Sequence, residues 1–581
     1  MVPSSTAKLV RLCALALFAA ACCLRSNSLR ADSDVVYANG FDSPLVANAF
    51  FVSTQGLDTN PGTTDQPFLT IAKGISAAAA DPLKRTVLVA EGTYSESIAL
   101  ADGVSVLGQY QNGSWARGLN FYTIIDGVSS VGNHDRTVVA SNITSATTID
   151  GFVIFGSVND KPGGNSYAIY VSGSNANLHI TNNFIFGGRG GPGADGSTGP
   201  DGLDGAAGSG RTSNLSIADA AYDAKDANGT GECDVANSRQ YANGGMLTCG
   251  ATPVDGGSGG GNLCPAMSFC DLWDANFGCL QNTSNFHWTK YTALDGASGT
   301  TAGGVTDGAA GPGAASGDDM IQIFANFYGG YICYIPPGTT YGLNGGNGSD
   351  GEHGSAAAGC SVASGTVVGG DWVGGAAPAG ISGGHGGGGG GGGAGGGGKC
   401  ENDGHGHTAC TDGGGKDTLG GHGGGGGSGA CGGAGGAAGN SGGGAFGVFI
   451  VGSSTAPVVS GNTLFGGSGG RGGAGGNGGA GGIGGLGAIG GTTGVPVIFC
   501  TDIAGQGGNG GDGGDGSGGG GGCGGASYGI YTFGIGTPVY CTGTNNTIVD
   551  GAAGSGGSGG LSLVNTGGSG ASGVLAGCSF N

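Results

Sequence analysis

Short apolar runs alternate with polar positions at several places along the chain. They include GTYSESIALADGVSVLG (92–108), IIDG (124–127) and TIDGFVIFG (148–156). Three longer stretches share one pattern: SYAIYVSGSNANLHITNNFIFGG (166–188), AFGVFIVGSSTAPVVSGNTLFGG (445–467) and SYGIYTFGIGTPVYCTGTNNTIVDG (527–551). The first two align without a gap. Alternation with β-branched and aromatic enrichment predicts short strands. Each stretch passes a turn ending in Asn183, Asn462 or Asn546, and asparagine suits a left-handed turn residue. A unit of roughly 21–25 residues cannot bury its own apolar face, so the units are expected to stack as a parallel solenoid.

Glycine tracts interrupt this rhythm, each beginning just past Phe186, Phe465 or Asp550. They therefore read as additions at one loop position of the solenoid. From 466 to 490 every third residue is Gly, and the same phase holds at 507–525, 187–208, 342–354 and 380–398. A flexible linker has no reason to keep a period of three. A polyproline-II-type helix has three residues per turn, and Gly at each third position clears one edge for a neighbouring chain. The tracts resemble the polyglycine-II bundles of small glycine-rich antifreeze proteins. In tract 466–491 the third-position residues Ile483, Leu486 and Ile489 read as a seam packing on a neighbour.

Composition modifies this picture in three ways. Of 581 residues 148 are Gly, yet hydrophobic residues reach 38% and charged residues only 10%, which argues against disorder. A formal net charge of −21 would repel nucleic acid. Lys8 and Arg11 precede LCALALFAAACCL (12–24), a short apolar segment of secretory-signal type, with cleavage expected after Ala31. Ala19–Cys22 also resembles a lipobox, so acylation of Cys22 is the alternative exit. No later segment is long and apolar enough to span a membrane. Fourteen Cys follow residue 23, an even number that predicts disulfides in an exported chain, with Cys400–Cys410 as the candidate local bridge.

The stretch FVSTQGLDTNPGTTDQPFLTIAKGISAA (51–78), followed by GTYSESIALADGVSVLG, resembles the opening of secreted right-handed parallel β-helix proteins of the pectin-lyase-like superfamily. The match runs through Val52, Ser53, Gly56, Asp58, Asn60, Gly62, Thr63, Pro67, Phe68, Thr70 and Ile71. The resemblance implies an N-terminal cap with a helix, then the first coil. That superfamily includes lyases, hydrolases, adhesins and inert spikes, so the resemblance bears on fold more than on chemistry.

Candidate chemistry is sparse. Asp126 and Asp150 lie in Ile-Asp-Gly contexts 24 residues apart, about one expected rung. Stacked carboxylates there would suit a retaining hydrolase or a calcium site; a ladder of Asp-Gly turns accounts for the same residues. His134, Asp135 and Arg136, with Arg117, form a candidate lyase or polyanion cluster, set against a surface salt bridge. His405 and His407, flanked by Cys400 and Cys410, are candidate zinc ligands. No motif calls for a cofactor.

The expected architecture is all-β: a right-handed parallel β-helix carrying polyglycine-II-like bundles. The expected division is a signal peptide at 1–31, a spacer at 32–49, and the cap and rungs at 50–186. A long Gly/Cys-rich insertion (187–444) precedes a rung at 445–465. A glycine-rich hairpin (466–526), a rung (527–550), a short insertion (551–572) and a terminal strand (573–581) follow. The expected function is an exported, non-catalytic scaffold or surface protein, adhesive or glycan-binding, with extracellular polysaccharide or a cell-surface protein as partner. A carbohydrate-active enzyme on the β-helix face and an ice-binding bundle are the rival readings.

Overall fold

The structure, a computed structural model, describes residues 48–581 apart from 131, 211–241, 262–272, 275–277, 280–292, 319, 325–330, 335–337, 402–419, 454, 492–501 and 543–544. It is nearly all β. Three six-stranded parallel sheets dominate, a topology compatible with a β-helix solenoid. The first sheet stacks Ala49–Val52, Thr86–Ala90, Ser105–Tyr110, Thr147–Asp150, Leu178–Thr181 and Val458–Ser460. The second stacks Ile98–Ala99, Asp135–Ser141, Ser166–Ser172, Ala445–Val451, Ser527–Phe533 and Leu575–Phe580. The third stacks Gly92–Tyr94, Thr123–Asp126, Phe152–Phe155, Phe184–Phe186, Thr463–Phe465 and Thr547–Val549.

The alternation in the sequence decides what each sheet sends inward. Val87, Val106, Ile149, Ile180 and Val459 are partners in register across the first sheet. Val138, Ile169, Val448 and Ile530 do the same across the second, and Ile125, Ile154, Ile185 and Leu464 across the third. Their side chains form one buried cluster. Burying each contributes roughly 1.5–3 kcal/mol.

The N-terminal end is closed by helix α1 (Ile71–Ala80), which buries Ile71, Gly74, Ile75 and Ala78. Thr70 caps it by accepting the Lys73 N–H, and the Glu96 carboxylate accepts the N–H groups of Ile71 and Ala72 at 2.8 and 3.0 Å. These satisfy donors that the first helical turn leaves without partners. Burial nonetheless raises the Glu96 pKa, outweighing the two N–H bonds that lower it.

A full coil is longer than the expected 21–25 residues. Ile180 lies in register with Ile149, and Phe152 N–H bonds to the Asn183 side chain, 31 positions along. The expected unit held the three strands but not the segment that returns from the third sheet to the second. The left-handed residues also differ from expectation. Positive φ falls on Asn182 (55°) and Gly461 (69°), one residue before Asn183 and Asn462. Asn183 and Asn462 instead point inward, each 1% exposed.

The glycine tracts run outside the three sheets. They leave after third-sheet strands ending at Phe186, Phe465 and Val549 and return at second-sheet strands starting at Ala445, Ser527 and Leu575. Tract 420–444 lies at the centre. The N–H groups of Gly443, Asn440 and Ala437 donate to Gly191, Ala194 and Ser197. Those of Gly442, Gly439 and Gly436 donate to Cys523, Gly520 and Ser517, and those of Gly429, Gly426 and Gly423 to Val254, Gly257 and Gly260. The carbonyls of Gly443, Asn440 and Ala437 accept from Gly470, Gly473 and Gly476; those of Gly436 and Gly433 accept from Gly380 and Gly383. These bonds measure 2.8–3.0 Å and reach five different tracts.

Candidate functional site

The two Ile-Asp-Gly carboxylates do not meet. Because one coil spans 31 residues, Asp126 lies in register with Phe155 on the third sheet and Asp150 with Thr181 on the first. A retaining hydrolase needs its carboxyl groups about 5 Å apart. Asp150, 8% exposed, takes a salt bridge from Arg117 and hydrogen bonds from Thr181 Oγ1 (2.6 Å) and Asn182 Nδ2 (2.7 Å). The Arg117 guanidinium also bonds to the Gly108 carbonyl and lies over the Tyr110 ring. Arg117 thus belongs to this corner and not to the 134–136 cluster.

His134 and Arg136 both approach Asp371, but Asp135 between them turns to the other side, because successive strand residues face opposite sides of a sheet. Arg136 lies on the outer side, its guanidinium 4.2 Å from the Tyr170 ring centre and 2.5 Å from Asp371. Asp135 is fully buried and accepts from Ser130 N–H (2.8 Å), the Ser129 and Ser130 hydroxyls and Lys161. Its Oδ2 has no hydrogen-bond partner among the described residues. His134 Nδ1 accepts the Asn165 N–H at 3.0 Å, which leaves the ring proton on Nε2, 3.9 Å from Asp371. Burial is the largest cause of its lowered pKa, ahead of the opposing Asp371 charge. A neutral imidazole whose acceptor nitrogen is occupied is a positioned donor, not a general base.

The partner of this cluster is a hairpin that the sequence pattern does not single out. Thr366–Val368 and Asp371–Val373 pair antiparallel and lay Trp372, 2% exposed, against the outer face of the second sheet. Trp372 N–H donates to Tyr167 Oη at 3.0 Å, and Asn165 Nδ2 bonds to the same oxygen at 2.8 Å. Below it run two rows of rings. Tyr167, Phe446 and Tyr528 stack along one, and Tyr170, Phe449 and Tyr531 along the other, with centroids 5.1–5.9 Å apart. Burial raises the Tyr167 pKa well above the ordinary phenol range. The arrangement clamps a hairpin onto the solenoid.

Asn183, Asn462 and Asn546 form a ladder through the coils. Asn183 Nδ2 donates to Asn462 Oδ1 at 3.1 Å, and Asn462 Nδ2 to Asn546 Oδ1 at 3.0 Å. The same oxygens accept the backbone N–H of the preceding coil's asparagine. Each amide thereby satisfies buried polar groups of two coils at once.

Asparagine and aspartate have a second task at the surface of the glycine tracts. Where a neighbouring chain is missing, a side chain takes the N–H. Asp195, Asp201 and Asp204 accept from Ala474, Ala480 and Ile483; Asp515, Asp512 and Asn509 accept from Gly481, Gly484 and Gly487. Asn344, Asn347 and Asp350 accept from Gln506, Asn509 and Asp512. Much of the acidity in the tracts is therefore structural. Ile483, Leu486 and Ile489 are exposed by 69%, 67% and 55% and do not form the expected seam.

Three disulfides lie among the described residues: Cys249–Cys431, Cys360–Cys523 and Cys541–Cys578. Their loops span 182, 163 and 37 residues, so each ties distant segments together. His385 lies within 4.8 Å of the Cys249 and Cys431 sulfurs, but sulfurs joined to each other lack the thiolate charge that a metal requires. The Cys400–Cys410 bridge, the His405 and His407 ligands and the signal segment with Cys22 lie outside the described residues or side chains. No helix among the described residues is long and apolar enough to cross a membrane.

A family model described as "Protein of unknown function (DUF1565)", a family associated with parallel β-helices, matches residues 54–208. That stretch covers the cap, the first coils and the start of the first glycine tract. No curated protein and no solved structure gave a significant match.

Proposed function

We propose that this chain is an exported, non-catalytic scaffold carried on the cell surface or released outside the cell. Its body is a right-handed β-helix of pectin-lyase-like type, and its tracts form a bundle of polyglycine-II helices that contacts polysaccharide or a surface protein. One observation carries the reading: the central tract donates its N–H groups in three directions with a period of three. A chain with three residues per turn radiates successive donors in that way. Such a bundle is a rigid body with little room for chemistry. The candidate acids support the same view, since Asp150 and Asp135 are engaged in structural bonds. The disulfides fit an extracellular setting.

Two experiments test the proposal. In hydrogen exchange of the full chain, amides from 466 to 490 are expected to be protected as strongly as those of the sheets; fast exchange there would remove the bundle. Incubation with a panel of polysaccharides is expected to give binding without cleavage. Turnover abolished by Asp150→Ala would replace the scaffold with a carbohydrate-active enzyme.

A further inference from the structure

Asparagine followed by glycine is the pairing most open to self-modification, because the glycine nitrogen reaches the neighbouring side chain without steric hindrance. Among the described residues five such pairs stand in the glycine tracts: Asn243–Gly244, Asn344–Gly345, Asn347–Gly348, Asn477–Gly478 and Asn509–Gly510. In the last four, both reacting groups are held. The N–H groups of Gly345, Gly348, Gly478 and Gly510 donate to Gln506, Asn509, Leu561 and Gly485 at 2.8–2.9 Å. The Oδ1 atoms of Asn344, Asn347, Asn477 and Asn509 accept from Gln506, Asn509, Leu561 and Gly487 at 2.8–2.9 Å.

Asn112–Gly113, in the first coils, is set differently from these four. Gly113 is exposed, has φ of 84°, and its N–H makes no hydrogen bond among the described residues. The fully buried Ser53 hydroxyl donates to Asn112 Oδ1 at 2.9 Å. We infer that Asn112 is a site of spontaneous succinimide formation in the folded protein, and that hydrogen bonding in the glycine lattice protects Asn344, Asn347, Asn477 and Asn509 from the same reaction. The Gly113 nitrogen loses its proton to solvent and attacks Asn112 Cγ. The N–Cγ bond forms, the Cγ–Nδ2 bond breaks and ammonia leaves. Water then opens the ring to aspartate or isoaspartate. Ser53 donates to the oxygen on which charge builds during the attack.

The product matters to the cap. The turn after Gly113 presents Trp115, 2% exposed, which bonds to the Thr64 carbonyl at 3.2 Å and meets Phe51 edge-on. Isoaspartate at 112 adds a methylene to the backbone of that turn and a carboxylate near Glu91, whose Oε1 accepts the Asn112 N–H. Succinimide formation at Asn112 therefore acts on the solenoid's first coils.

The test is peptide mapping by mass spectrometry, with isoaspartate resolved, of the full oxidised chain held for weeks in mildly alkaline buffer. Asn112 is expected to convert at least about a hundredfold faster than Asn344, Asn347, Asn477 and Asn509, because lattice sites react only from opened states. In the reduced chain under denaturant all five should convert at similar rates. Equal rates in the folded chain, or an intact Asn112 beside converted lattice sites, would overturn the inference. Ser53→Ala is expected to slow Asn112 about tenfold, with Ser53→Thr restoring the rate; an unchanged or faster rate in Ser53→Ala would remove the hydroxyl from the reaction.

Discussion

The solenoid and the glycine tracts solve the same problem with opposite materials. In the solenoid, water is excluded by stacked aliphatic side chains such as Val106, Ile149, Ile180 and Val459. Backbone bonds run only within the plane of each sheet. In the tracts the interior is backbone itself. A Cβ built on Gly436 would lie 2.0 Å from the Gly476 carbonyl oxygen, and one on Gly391 1.9 Å from that of Ser258. The solenoid core needs side chains of the right volume, and the tract core needs none at all. Hydrophobic burial stabilises the first. Dense hydrogen bonding, offsetting the high chain entropy of glycine, stabilises the second.

The comparison breaks if the two regions respond alike to substitution. The largest effect is expected from Gly436→Val, which forces the tracts apart at their centre. A loss above roughly 4 kcal/mol belongs to that class of defect. Hydrogen exchange should show the tracts opened while second-sheet amides near Ile169 stay protected. Ile180→Ala should do the reverse: about 3 kcal/mol lost from the solenoid through a core cavity, read by denaturant unfolding followed at the sheet amides.

Acid should separate the regions too. His422, 1% exposed at the start of the central tract, has its pKa lowered to about 4 by burial. Its folded form binds the proton less readily than the unfolded form, whose ordinary value is near 6.5. The stability this histidine contributes is therefore full above pH 6.5, falls as pH drops toward about 4, and is constant below. The loss amounts to about 3 kcal/mol. It should appear as earlier acid opening of the tracts than of the sheets, and be absent in His422→Gln.

The smallest expected effect sharpens the boundary between the two regions. Asp512→Ala removes the acceptor for the Gly484 N–H at the tract surface and should cost about 1 kcal/mol. Asp512→Asn keeps the acceptor and should cost almost nothing. An equal loss in both variants would mean that the charge, not the acceptor, was at work.

Much of the fold was legible in the chain because its signals are periodic. Alternation marked the strands, and the triplet phase of glycine marked tracts that hold an ordered lattice of hydrogen bonds. The candidate site was far less legible. Asp126 and Asp150 are 24 residues apart, and only the return segment between the third and second sheets, which has no pattern of its own, decides that they miss each other. The Asn183 ladder was visible as a repeated residue but was assigned the wrong task. The left-handed turn and the inward amide are adjacent positions, and composition does not distinguish them. Trp372 gives no signal, since its hairpin meets Tyr167 only across a sequence separation of 205.

The sequence by itself determined the local elements: which residues face inward along a strand, where glycine removes every side chain, and where an aspartate stands ready to accept. These follow from period and chemistry within a few residues. The tertiary structure alone decided the length of a coil, the neighbours of each tract, and whether a carboxylate meets a second carboxylate or an arginine. Those outcomes depend on how coils and tracts stack, and stacking brings together residues whose separation along the chain carries no periodic mark.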